Sequence, residues 1–202
     1  SGYQMRGVVR VLDGSEWKER IALMDTCAEA NFVAEEFVLE ALFNAYASGV
    51  EPADPKFPIV QLERWPLKEV ITGIVAGRTS GLLGSVVIRV MFAEEGQGEG
   101  PVVLVRAKVR PRGCSEWKGL ILGGRSLDSV GRGGLGFTIE ENTFWLAGLG
   151  VRIPRCDSDE QWGNFVRCYS TFVTLEESAF DSDEDEGCRV PAACKQGAWS
   201  LD

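Results

Sequence analysis

Short apolar runs of strand length, each closed by a turn rich in glycine, proline or acidic residues, repeat along most of this 202-residue chain. Many short strands with turn signals between them point to a mostly-β barrel or sandwich. Residues 5–12 and 20–25 read as two strands joined by the turn Asp13-Gly14-Ser15-Glu16. Residues 59–62 form a further run. Leu67, Val70, Ile71, Ile74 and Val75, followed by residues 82–92, predict a long hairpin with its tip at Gly77-Arg78-Thr79-Ser80-Gly81. Runs at 102–109, 120–122, 137–139 and 143–146 complete the pattern. Only residues 31–47 break it, where Phe32, Val33, Phe37, Leu39, Ala41, Leu42 and Tyr46 suit a helix in part.

The chain contains no histidine. That excludes a Ser-His-Asp triad, a Cys-His dyad, an HExxH zinc helix and an imidazole general base. Any catalysis must come from carboxylates, lysines, thiols or a bound metal. A net charge of −9 argues against a nucleic-acid or anionic-membrane surface. No apolar run is long enough to span a bilayer, and no secretory leader is visible. The six cysteines (Cys27, Cys114, Cys156, Cys168, Cys188 and Cys194) are unevenly spaced, which favours free thiols in an intracellular, reducing compartment. Cys188 and Cys194 are also too far apart for an ordinary zinc pair. No metal or other cofactor is expected.

After residue 154 the composition changes. We expect a lobe over residues 1–154 and an acidic, cysteine-containing extension over 155–202. The run Asp181-Ser182-Asp183-Glu184-Asp185-Glu186 reads as a solvated segment. An internal echo also stands out: Ser15-Glu16-Trp17-Lys18 recurs as Ser115-Glu116-Trp117-Lys118, and each copy precedes an apolar run. Duplicated half-lobes would produce this arrangement.

Two motifs carry chemistry. Ile21-Ala22-Leu23-Met24-Asp25-Thr26-Cys27-Ala28-Glu29 is an apolar strand ending on an acid, a hydroxyl residue and small residues. Leu120-Ile121-Leu122-Gly123 is an aliphatic run closed by glycine. In this order, with the hairpin of residues 67–92 between them, they resemble the retropepsins. These are the aspartic proteases of retroviruses and long-terminal-repeat retrotransposons, together with their domesticated relatives. The resemblance spans roughly residues 5–150. It implies a single-lobe acid-protease β-barrel with a flap hairpin and one or two short helices, placed in the cytoplasm or in a retroelement particle.

The resemblance also implies roles. Asp25 would be the catalytic acid, and one lobe supplies only one, so the enzyme would be a two-fold homodimer acting on a polypeptide substrate. Two carboxylates close enough to share a proton can activate a water without histidine. Thr26, Cys27 and Ala28 would form the active-site loop, with Thr26 bonding across the dimer. Glu29 would line the cleft, and Gly77, Arg78, Thr79, Ser80 and Gly81 would form the flap tip over the substrate. Arg125 would pair with Glu29 and brace the dimer, although an extra glycine shifts it by one place. Cys27 departs from the family pattern, which has glycine there. A side chain at that point bears on activity more than on fold. The readings left open are an active peptidase, a domain that dimerises and binds peptides without cleaving, and an unrelated barrel serving as an interaction module. A thiol enzyme centred on Cys27 lacks a histidine to activate it.

Overall fold

The computed structural model describes residues 5–64, 70–72, 79–113, 117–156 and 199–201. The chain begins with β1 (Arg6–Asp13) and β2 (Glu16–Met24), an antiparallel hairpin in which Asp13 pairs with Glu16. A short strand β3 (Phe32–Ala34) runs directly into helix α1 (Glu35–Ala47). Then come β4 (Ile59–Arg64), β5 (Val70–Thr72), β6 (Thr79–Gly81), β7 (Gly84–Met91) and β8 (Val102–Arg110). After β9 (Leu120–Leu122) the chain forms the one-turn helix α2 (Gly124–Leu127) and a 3-10 turn at Val130–Arg132. The strands β10 (Phe137–Ile139), β11 (Thr143–Leu146) and β12 (Val151–Pro154) make a small meander, and β13 is Trp199–Leu201.

Pairing in the order β8-β3-β9-β2-β1-β7, closed by β7 on β8, makes a six-stranded barrel, with β13 and β4 attached outside the ring. The chain is therefore mostly β with short helices, as the spacing of the apolar runs predicts. Alternation along the strands sorts side chains to two sides. Val9, Val11, Ala22, Met24, Leu120 and Leu122 enter the main core. Ile21, Ile121, Trp117 and Cys156 form a second, smaller cluster, with Leu23, Ala28 and Phe32 against it.

Helix α1 seals one side of the core with Phe37, Val38, Leu39, Leu42 and Ala45. Its first turn carries Glu35 and Glu36, which suit the positive end of the helix dipole. Both are 2% exposed. They stay in the interior because the chain after β8 reaches back to them. The Arg112 amide donates to Glu35 Oε1 at 3.0 Å. The Gly113 amide and Lys118 Nζ donate to Glu36 Oε1 at 3.1 and 3.2 Å. Removing a buried carboxylate strands these donors. Glu36→Ala should therefore cost about 2 kcal/mol in urea unfolding, discounted because Lys118 is partly solvated. A change within about 0.5 kcal/mol, the range of an ordinary surface substitution, would contradict this tethering.

Three boundaries differ from expectation. Glu16 and its neighbours extend β2 instead of forming a wide turn. Residues 32–34 are a strand, where the helical spacing had hidden three residues that pair with β8 and β9. Thr79, Ser80 and Gly81, predicted at a hairpin tip, are instead a strand. Arg64 pairs with Gly84 in the main sheet, while Val70 pairs with Gly81 and Thr72 with Thr79 in a separate two-stranded antiparallel arm. In that register Thr79, Ser80 and Gly81 must be the returning strand. Gly77 and Arg78 lie outside the described residues. Described residues beyond 154 also pair with the barrel. Arg155 bridges Gly7, the Cys156 amide donates to Arg6 O at 2.9 Å, and β13 pairs in parallel with Val103–Val105 of β8.

The first echoed tetrapeptide runs into the start of β2 and the second precedes β9, and these two strands lie side by side in parallel. Ser115 and Glu116 lie outside the described residues. Trp117 is buried and donates its indole N–H to Leu120 O at 3.0 Å, and Lys18 pairs with Asp13 at 3.5 Å.

Candidate active site

The site is built where two parallel strands end together. The last ladder pair of β2 and β9 is Met24 with Leu122, and the Asp25 amide extends the contact by donating to Leu122 O at 3.0 Å. With Met24 anchored in the core, Asp25 emerges half-buried at the strand's end. The chain then turns tightly. The Cys27 amide donates to Asp25 Oδ1 at 3.0 Å, and the Ala28 amide to Asp25 O at 3.1 Å. Such an aspartate-anchored turn fixes the side chain's direction and leaves its second oxygen free to act. Thr26, Cys27 and Glu29 are exposed, and Ala28 is half-buried.

The loop rests on the two glycines that follow β9. The Gly124 amide donates to Ala28 O at 2.8 Å. A Cβ at Gly123 would stand 2.3 Å from Ala30 O, and one at Gly124 would stand 2.8 Å from Thr26 O. Both glycines are there because backbone meets backbone at those points. Asn31, 1% exposed, locks the assembly. Its Oδ1 accepts from the Gly123 amide and from Ser126 Oγ, each at 2.8 Å, and its Nδ2 donates to Arg106 O at 3.0 Å. Sequence reasoning missed Asn31. The available signal was a single amide residue at the head of an apolar run, directly after the acid motif.

The structure thus brings Asp25, Thr26, Cys27 and Ala28 into one loop braced by Gly123 and Gly124. Glu29 and Arg125 are both exposed, and among the described residues no ion pair joins them. Thr79, Ser80 and Gly81 sit on the return strand of the arm. Two other aspartates of the lobe, Asp13 and Asp128, have structural duties. Asp13 accepts from Arg20 at 2.8 Å and from Asn44, and Asp128 accepts from the Ser129 amide at 2.7 Å and faces Arg132. Among the described residues no three His, Cys, Asp or Glu side chains are grouped to hold a metal. Cys27 and Cys156 are free thiols, the first exposed and the second buried. No described helix is long and apolar enough to cross a membrane.

Chemically, the loop offers one oriented, solvent-accessible carboxylate. One carboxylate can accept a proton, but it cannot also donate one to the same substrate in the same step. Two-acid chemistry at this loop would need a second carboxylate.

No protein-family model matches the chain, and no curated protein sequence does. Among solved structures, the chain is similar to the retroviral protease-like domain of Ddi1 from Leishmania major. That pair shares 13% identity, covering 76% of this chain and 96% of that one, with a TM-score of 0.39.

Proposed function

We propose that the chain is one lobe of a retropepsin-like aspartic endopeptidase, completed by a second copy of itself. The observation that carries this reading is the seating of Asp25. It stands at the end of β2, in a turn whose backbone touches Gly123 and Gly124, with its carboxylate bonded on one oxygen only among the described residues. Across a dyad, two such carboxylates would share one proton because both cannot ionise at close range. The ionised Asp25 takes a proton from a water, which attacks the peptide carbonyl carbon. The protonated Asp25 of the other copy donates to the carbonyl oxygen.

Thr26 would bond across the dyad beneath the acids, while Cys27, Ala28 and Glu29 line the cleft beside the substrate backbone. The arm of β5 and β6 would serve as the flap that shields the peptide from water. Arg125 would brace the dimer only by reaching the other copy.

A second reading, a dimeric peptide-binding domain that does not cleave, is favoured by one observation. Cys27 is exposed in the loop where the family carries glycine, so its thiol stands where two such loops would meet. Cleavage of a diverse peptide library, followed from acidic to neutral pH, separates the two. Cleavage by the unaltered chain that Asp25→Asn abolishes supports the peptidase. No cleavage by a sample that sediments as a dimer supports the binding domain. In that case Cys27→Gly should restore cleavage if the thiol alone is the obstruction, and its failure to do so would rule the thiol out.

A further inference from the structure

Beyond the candidate active site, the loop between α2 and β10 carries an arginine whose setting the fold does not explain. Arg132 stands in Gly131-Arg132-Gly133-Gly134 and is the sole arginine of the sequence with glycine on both sides. Its side chain is 78% exposed, and its contact is a surface ion pair with Asp128 at 3.4 Å. Such a pair is worth little and yields readily to a partner. The loop beneath it is firmly held. The Gly134 amide donates to Ser129 O at 3.1 Å, and the Leu135 and Gly136 amides donate to Ser126 O and Asp128 O, each at 2.7 Å. Leu135 is fully buried. Arg132 is thus presented on a fixed pedestal.

The glycines divide into those the fold requires and one it does not. A Cβ at Gly134 would meet Asp128 O at 2.3 Å, and Gly133 and Gly136 have positive φ of 84° and 63°. These three are structural. Gly131 has neither constraint: a Cβ there would meet no atom within 4 Å, and its φ lies outside the left-handed region. An unneeded glycine beside an exposed arginine makes sense if something must close around that arginine. Bare backbone on both sides lets the guanidinium enter a deep, narrow pocket without flanking side chains striking its rim.

We propose that Arg132 is a site of arginine methylation by a transferase that uses a sulfonium methyl donor of the S-adenosylmethionine class. In the step, an Nη nitrogen of Arg132 attacks the donor's methyl carbon and an N–C bond forms. The C–S bond breaks, and its electron pair stays on sulfur as a neutral thioether. One N–H proton leaves to the transferase's base. The product keeps its positive charge but loses a hydrogen-bond donor. Two other arginines next to glycine are poorer candidates. Arg112 is 28% exposed on its side chain and pairs with Glu35, and Arg125 is followed by Ser126.

The test is incubation of the folded full chain with an arginine methyltransferase that accepts glycine-flanked peptides, an isotopically labelled methyl donor, and peptide mass mapping. We expect label on Arg132, no label at that peptide in Arg132→Lys, and a marked fall in Gly131→Val with an unchanged unfolding midpoint. The proposal is overturned if a glycine-flanked control peptide is labelled while the folded chain is not. Label that survives Arg132→Lys undiminished, or label on Arg132 only after denaturation, would overturn it equally.

Discussion

Replacing Gly123 with alanine should destabilise the chain by about 3 kcal/mol, at the upper end of what one added methyl costs in a packed interior. The new Cβ would lie 2.3 Å from Ala30 O, 2.7 Å from Ala30 C and 3.0 Å from Ala28 O. All three are backbone atoms, so no side chain can swing aside to make room. The loop of residues 26–30 must retreat, and three bonds go with it: Gly123 to Asn31, Gly124 to Ala28 and Asp25 to Leu122. The substitution should therefore lower both the urea midpoint and any activity. Gly131→Ala is the control, since its Cβ enters open space; it should stay within about 0.5 kcal/mol, as surface changes do. Equal stabilities for the two variants would mean that the acid loop does not rest on Gly123 as closely as described.

Asp25→Asn should have the opposite profile. Asparagine keeps an Oδ1 that can accept from the Cys27 amide at the same 3.0 Å position, so the turn and the thermal midpoint should be preserved. The amide can neither take a proton from water nor share one with a second acid. Under the proposed mechanism kcat falls by about 10²–10⁴-fold, the usual worth of a positioned acid or base. KM should change little, because the acids act on the transition state more than on substrate binding. A loss of folding in Asp25→Asn would show that the carboxylate is structural. A loss of kcat in a folded protein points to chemistry.

How much of this was legible beforehand follows from the range of the interactions involved. Strands β9, β10 and β11 lie on the residues predicted, because their apolar runs are short and closed by clear turn residues. Strand β12 escaped notice because Val151-Arg152-Ile153-Pro154 is short and includes a proline, which is at home only at a strand's edge or end. Residues 32–34 were lost to the helical spacing of the segment that follows them. At the site, Asp25 was visible because its motif is contiguous. Asn31 was not, because its partners Arg106, Gly123 and Ser126 lie 75, 92 and 95 residues away. Thr79, Ser80 and Gly81 were assigned to a tip for a related reason. Gly77 and Gly81 mark possible turns equally well, and only the pairing of Val70 with Gly81 places the latter in a strand.

The proposed peptidase needs two Asp25 carboxylates, one from each of two copies, in one site. Mixing the unaltered chain with Asp25→Asn in varied proportion, after exchange of subunits, tests this most directly through the rate of peptide cleavage. If each site needs an acid from both copies, the rate falls as the square of the unaltered fraction, because every mixed dimer is silent. A rate that falls in simple proportion to that fraction would mean that one chain carries a whole site, and it would contradict the account.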